Sequence, residues 1–220
     1  MTKVKICGLT QSLHVDASVA AGADYLGFVF AKSRRLTTPE AVQAITQHVP
    51  PNVAKVGVFV QPTFSEIKQV AKIAGLTHIQ LHGRLTDSVQ QALVVGAFQQ
   101  LHLSVIQAFN GETATLQKKL TQSPADFVLL DAPAEETVYA GGNGQTFDWD
   151  TSAKAITVSK PLFIAGGLHQ DNVQQAIRCF HPYAVDISSG VETNGQKDTA
   201  KITAFIKKVK ELSINETTNK

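Results

Sequence analysis

Lys3-Val4-Lys5-Ile6-Cys7-Gly8, an amphipathic run from Ser12 to Ala21, and Gly22-Ala23-Asp24-Tyr25-Leu26-Gly27-Phe28-Val29-Phe30 together decide the fold class of this chain. Successive side chains of a strand point to opposite faces, so the first segment sets Lys3, Lys5 and Cys7 against Val4 and Ile6. A short β-branched run, a helical run of ten or so residues and a second β-branched and aromatic run make one βα unit leading into the next. Further along, the same alternation repeats. After Lys3 to Cys7 and Asp24 to Phe30, strands are expected at Val53 to Val60, His78 to His82, Leu101 to Gln107, Asp126 to Asp131, Pro161 to Ala165 and Ala184 to Ser188.

Helices are expected at Ser12 to Ala21, Pro39 to His48, Phe64 to Ala74, Thr86 to Val95, Thr113 to Thr121, Asp148 to Ala155, Asn172 to Phe180 and Thr199 to Lys210. Thr38 before Pro39 reads as an N-cap with proline at the first helical position, and Gly22 and Gly75 fall just past helix ends. Eight strands, each followed by a helix, match a closed (β/α)8 barrel, an α/β architecture. An open doubly wound sheet would need an unusually long strand order to use them all. No linker divides the chain, so residues 1–212 read as one barrel domain and residues 213–220 as a polar tail that frays.

With 220 residues, 43% of them hydrophobic, the chain can bury a core of that size. Its 20 basic and 18 acidic residues are interspersed and leave a net charge of +2, which speaks against nucleic acid or a membrane surface as partner. No apolar run approaches the roughly 18 residues of a membrane span. The Met-Thr-Lys-Val-Lys-Ile start lacks signal-peptide features, which predicts a cytoplasmic protein. Cys7 and Cys179 are far apart and show no metal-ligand spacing; Cys179, beside Ile177 and Phe180, reads as core. Nothing in the sequence decides between a monomer and a homodimer.

In such barrels the chemistry sits at the C-terminal ends of the strands. Apolar Val4 and Ile6 suit the helix-facing side, which turns Lys5 and Cys7 inward. A neighbouring ammonium favours the thiolate and would make Cys7 a base or nucleophile; a small buried hydrophobe is the alternative. Asp131 ends the sixth strand, with Leu129 and Asp131 inward and Val128 and Leu130 outward. In a ring of eight, strands one and six lie across the opening from each other, as an acid and a base acting on different atoms of one substrate require. A capping carboxylate is the other reading of Asp131.

Gly166-Gly167 after strand seven and Ser188-Ser189-Gly190 after strand eight lie where barrels bind phosphate through backbone N–H groups. Arg35, in the loop after strand two, suits a substrate carboxylate, since its guanidinium offers a fixed fork of donors, and equally suits solvent. His82 at the end of strand four either meets a ligand or bonds its own loop. Gly141-Gly142-Asn143-Gly144 follows no strand and lacks the Gly-x-Gly-x-x-Gly pattern, which argues against a dinucleotide. It reads as a loop over the mouth, with Phe147-Asp148-Trp149 leading back to the barrel.

Taken in order, Lys-Ile-Cys-Gly-Leu-Thr from Lys5, Gly-Ala-Asp-Tyr-Leu-Gly-Phe-Val-Phe from Gly22, Ser33-Arg34-Arg35, Gln80-Leu81-His82-Gly83, Leu129-Leu130-Asp131, Ala165-Gly166-Gly167-Leu168 and Val-Asp-Ile-Ser-Ser-Gly-Val-Glu from Val185 resemble the phosphoribosylanthranilate isomerases across nearly the whole chain. The resemblance implies a phosphorylated small-molecule substrate, an Amadori rearrangement in tryptophan biosynthesis, and no cofactor or metal. It implies Asp131 as general acid, Cys7 as general base, Arg35 on the substrate carboxylate, and the two glycine-bearing loops on the phosphate. Asp186 and His82 would line the mouth. For these roles a thiol pKa below about 8.5 and a carboxyl pKa above about 3.9 are expected. Asn143 and Gln145 depart from the pattern, which has Ser or Thr and Lys there. Two rivals remain: a related histidine-pathway barrel, which would carry aspartate in place of Cys7, and a non-catalytic phosphate binder, which would have no use for Cys7 and Asp131 together.

Overall fold

A computed structural model describes residues 1–110, 113–131 and 156–218. Eight parallel strands close in chain order: β1 (Lys3–Cys7), β2 (Tyr25–Val29), β3 (Ala54–Val60), β4 (His78–His82), β5 (Ser104–Asn110), β6 (Phe127–Asp131), β7 (Leu162–Ala165) and β8 (Ala184–Ile187). Closure runs through β8 and β1, with Lys3 opposite Ala184 and Lys5 opposite Asp186. The expected (β/α)8 barrel is therefore the observed one.

Around it lie α1 (Ser12–Ala21), α2 (Pro39–Ile45), α3 (Phe64–Ala74), α4 (Asp87–Val94), α5 (Ala97–Gln100), α6 (Thr113–Gln122), α7 (Val173–Phe180) and α8 (Thr199–Thr218). A 3-10 turn (Ser189–Val191) and a hairpin of β9 (Glu192–Thr193) and β10 (Gln196–Lys197) precede α8. The expected helix from Asp148 to Ala155, the Gly141-Gly142-Asn143-Gly144 loop, Gln145 and Phe147-Asp148-Trp149 lie outside the described residues.

Local chemistry explains several helix ends. Thr38 accepts the Ala41 N–H ahead of Pro39, and Thr63 and Glu66 form a reciprocal capping box on α3. Gly22 and Gly75 close α1 and α3 in the left-handed region, φ 93° and 62°, that glycine enters without steric cost. Several ends differ from expectation: α2 stops at Ile45 and not His48, β5 ends at Asn110 and not Gln107, and others move by a residue. The fifth strand starts at Ser104 and not Leu101, because residues 97–100 take a helical turn and His102 sits at φ 55°, which turns the chain before the strand begins. The last helix continues past Lys210 to Thr218, so residues 213–218, expected to fray, are helical.

Strand alternation divides the core in two. Val4, Ile6, Leu26, Phe28, Ile79 and Leu81 pack outward against the helices, while Val128 and Leu130 join α6 residues Leu116 and Leu120. Tyr25, Val56, Ile106, Leu129, Phe163 and Ala184 fill the barrel. The N-terminal end of the barrel is floored by aromatic rings. Phe163 meets Tyr25, Phe127 and Tyr183 at centroid distances of 5.3, 5.7 and 5.7 Å, and the Tyr25 and Tyr183 hydroxyls are 3.0 Å apart. The Lys3 ammonium lies over both tyrosine rings. With that end sealed by apolar rings, the polar inward residues Lys5, Cys7, Gln80, His82, Asp131 and Asp186 all belong to the opposite, C-terminal half. No helix among the described residues is long and apolar enough to cross a membrane.

Candidate active site

Lys5, Asp186 and Cys7 form the centre of the mouth. Neighbouring strands place Lys5 beside Asp186, and the ammonium donates to Asp186 Oδ2 at 2.7 Å, with both side chains buried. Asp186 Oδ1 is buried without a hydrogen-bond partner among the described residues. Burial pulls the Lys5 pKa down, but the carboxylate outweighs it and holds the lysine above its usual value. The site therefore contains a fixed cation one turn of the pleat below Cys7.

Cys7 is buried and points inward as the alternation requires. Its thiol fits because its neighbour across β2 is Gly27: a Cβ there would stand 2.8 Å from Sγ. The expected fall in thiol pKa is corrected by the structure. Burial raises the pKa above its ordinary value, and the opposing charges of Lys5 and Lys197 do not cancel it. Desolvating a thiolate costs more here than one partly neutralised ammonium returns, because Asp186 already claims that ammonium.

Asp131 stands at the end of β6, three strands from β1 around the ring, with Leu129 inward behind it as predicted. Burial, joined by the negative charge of Asp186 and opposed by Lys5, pushes its carboxyl up to about 6. A carboxyl with that pKa keeps a protonated fraction near neutral pH, as a general acid must. His82 ends β4, 2.5 Å from Gln80 Nε2, and burial lowers its pKa, so its ring is neutral at pH 7. Gln80 Oε1 is a second buried polar atom without a described partner.

The loops after β7 and β8 are brought together by glycine. Gly166 and Gly167 both take positive φ, 84° and 60°. Gly190 lies so close to the first loop that a Cβ would stand 2.0 Å from the Leu168 carbonyl oxygen. Asn172 at the start of α7 braces the first loop, donating to the Gly167 carbonyl and accepting from His169 N–H. Ser188 turns its hydroxyl back to the Cys7 carbonyl, at 3.1 Å, and Ser189 opens the 3-10 turn.

Arg35 reaches the mouth over Gly8, whose absent side chain leaves room: a Cβ would stand 2.3 Å from Arg35 Cδ. Its guanidinium is held by Glu192, Nε to Oε1 at 2.7 Å and Nη2 to Oε2 at 3.0 Å. Arg35 is thus an ordered, paired side chain and not a solvated one. Sequence reading overlooked Gly8, Gly27, Gln80, Glu192 and Lys197. Glu192 stood at the end of the quoted run from Val185, but Arg34 and Arg35 lie far away in sequence, and Lys197, though only five residues on, meets it only through the β9–β10 hairpin.

The arrangement sets a buried thiol and a carboxyl of raised pKa on opposed strands, a buried cation between strands one and eight, and two closely apposed glycine-bearing loops. Residues 4–208 match the family model described as N-(5'phosphoribosyl)anthranilate (PRA) isomerase. The chain is similar to the N-(5'-phosphoribosyl)anthranilate isomerase of Listeria monocytogenes, 49% identical over 94% of this chain and 98% of the relative. It is also similar to that of Streptococcus mutans, 45% identical over 96% of this chain and 100% of the relative. Among solved structures, phosphoribosyl anthranilate isomerase from Thermotoga maritima superposes with a TM-score of 0.80 at 35% identity, covering 96% of this chain and 100% of that one. A complex of phosphoribosyl anthranilate isomerase with reduced 1-(o-carboxyphenylamino)-1-deoxyribulose 5-phosphate superposes with a TM-score of 0.77 at 33% identity and the same coverage.

Proposed function

The chain belongs to the N-(5'-phosphoribosyl)anthranilate isomerase family, and from that premise we propose how its mouth isomerises N-(5'-phosphoribosyl)anthranilate to 1-(2-carboxyphenylamino)-1-deoxyribulose 5-phosphate in tryptophan biosynthesis. The observation that carries the assignment of roles is Asp131, a carboxyl held up to about 6 across the barrel mouth from the Cys7 thiol.

Asp131 donates its proton to the furanose ring oxygen as the bond from that oxygen to C1 breaks, and nitrogen's lone pair forms the C1=N bond of an iminium ion. Cys7, as thiolate, removes the C2 proton; the C–H pair becomes the C1=C2 bond and the C1=N pair returns to nitrogen. The resulting enolamine becomes the ketone by gaining a proton at C1 and losing one from the C2 hydroxyl. Substrate and product are isomers, so one proton has left Asp131 and one has arrived at Cys7. Before the next turnover the thiol loses its proton and the carboxylate regains one.

Lys5 opposes both unfavourable charges, favouring the thiolate on one side and the carboxylate on the other. Its ion pair with Asp186 fixes it there, and the unpartnered Asp186 Oδ1, with neutral His82, supplies polar contacts for the sugar hydroxyls. The glycine backbones at Gly166, Gly167 and Gly190, with Ser188 and Ser189, form the phosphate cradle, and Arg35 takes the anthranilate carboxylate.

Turnover is followed by the loss of substrate fluorescence. Cys7→Ala and Asp131→Asn, each purified and shown folded by circular dichroism, lose at least about a hundredfold in kcat if each is a general catalyst. Wild-type turnover in either variant ends that assignment.

A further inference from the structure

Glu192 touches neither strand-end catalyst, yet its carboxylate is nearly inaccessible, 4% exposed, and three basic side chains converge on it. Arg34 Nη2 and Arg35 Nη2 both donate to Oε2, and Arg35 Nε and Lys197 Nζ both donate to Oε1. Burial pushes the Glu192 carboxyl up, but the Arg35 and Lys197 hydrogen bonds outweigh it and keep the group ionised. Lys197 Nζ also donates to the Ser188 carbonyl at 2.7 Å and the Ser188 hydroxyl at 3.2 Å. That hydroxyl in turn donates to the Cys7 carbonyl.

We propose that Glu192 is a positioning residue: held by Arg34 and Lys197, it clamps the Nε/Nη2 edge of Arg35 and so presents the guanidinium's other edge to the substrate carboxylate. The inference rests on the reading of Arg35 given above. A guanidinium has two edges able to pair bidentately with a carboxylate, the Nε/Nη2 edge and the Nη1/Nη2 end. Glu192 occupies the first; Nη1 makes no described hydrogen bond, so the second is open. Gly8 leaves room for the arm that carries it, since a Cβ there would stand 2.3 Å from Arg35 Cδ.

Glu192 is an anchor and not a placeholder for the ligand. Arg34 and Lys197 retain it independently of Arg35, and one carboxylate shared by three basic groups leaves the cluster positive, suited to a second carboxylate. Lys197 carries the same clamp into the loop after β8 through the Ser188 carbonyl and hydroxyl.

The test uses two ligands measured by titration calorimetry on the folded, full-length protein. One is reduced 1-(o-carboxyphenylamino)-1-deoxyribulose 5-phosphate; the other is its phenylamino counterpart without the carboxylate. The ratio of their dissociation constants reads carboxylate recognition alone. Arg35→Ala should bring that ratio close to one, and Glu192→Gln should lower it about tenfold, the scale of one lost charge-assisted contact. Affinity for the carboxylate-free ligand should stay within about twofold in Glu192→Gln, which a general loosening of the loops would not permit. If Arg35→Ala leaves the ratio unchanged, the reading of Arg35 fails. If Arg35→Ala collapses it while Glu192→Gln preserves or raises it, Arg35 stands and the clamp is overturned. Should Glu192→Gln not fold, Glu192→Gln/Lys197→Met, which removes the buried charges together, is held to the same ratio.

Discussion

Asp131→Asn should make the protein more stable while abolishing the proton it is proposed to donate. The magnitude follows from the carboxyl's pKa, about 6 in the folded chain against 3.8 for an ordinary aspartate. A raised folded-state pKa means that the native state binds the proton more tightly than the unfolded chain. Native stability therefore falls as pH rises through the window between those two values, and above about pH 6 the full penalty is present. A gap of about 2.2 units is worth about 3 kcal/mol at pH 8, an upper value because the side chain is not fully buried. At pH 5 about half of it, roughly 1.6 kcal/mol, has already developed. Asparagine has no such titration. The advantage of Asp131→Asn over wild type in urea unfolding should thus grow by about 1.4 kcal/mol between pH 5 and pH 8. A constant difference across that range would show that Asp131 titrates normally, and the argument for it as the acid would lose its electrostatic basis.

Other outcomes follow from the same site. Because the proposed mechanism needs Asp131 protonated and Cys7 ionised, and burial raises the thiol while the carboxyl sits at about 6, only a minor share of molecules holds the reactive pair. The kcat/KM profile should fall about tenfold per unit below pH 6 and stay flat from there into the alkaline range, whereas residual activity of Asp131→Asn should keep rising with pH. A wild-type decline between pH 6 and 8 would mean that the thiol titrates within or below that range and not above its ordinary value. Lys5→Met leaves Asp186 buried without its cation and should cost about 3–5 kcal/mol in urea unfolding; Lys5→Met/Asp186→Leu should recover most of it. Equal midpoints for Lys5→Met and wild type would show that the pair is not buried in solution.

The barrel was legible because strand alternation and helix caps are local signals. Val4 and Ile6 faced the helices and Lys5 and Cys7 the interior as their period of two required, and Thr38, Gly22 and Gly75 ended helices where their backbone chemistry predicted. Leu101 misled because an apolar residue suits either a strand or the cap of the short helix before it. Asp131 carried its raised pKa in agreement with expectation, since any carboxyl turned into a barrel loses water. Cys7 did not follow: its neighbour Lys5 was visible in the sequence, but the partner that occupies Lys5 was not.

The sequence by itself determined which residues point into the barrel and which end of it is polar, because both follow from periodicity along single segments. Tertiary structure alone decided how those residues are charged and which edges they offer. Lys5 meets Asp186, and Arg35 meets Glu192, across most of the chain's length. Coulomb energy and desolvation depend on distance and burial in the closed barrel, and neither quantity is written in the order of residues along one strand.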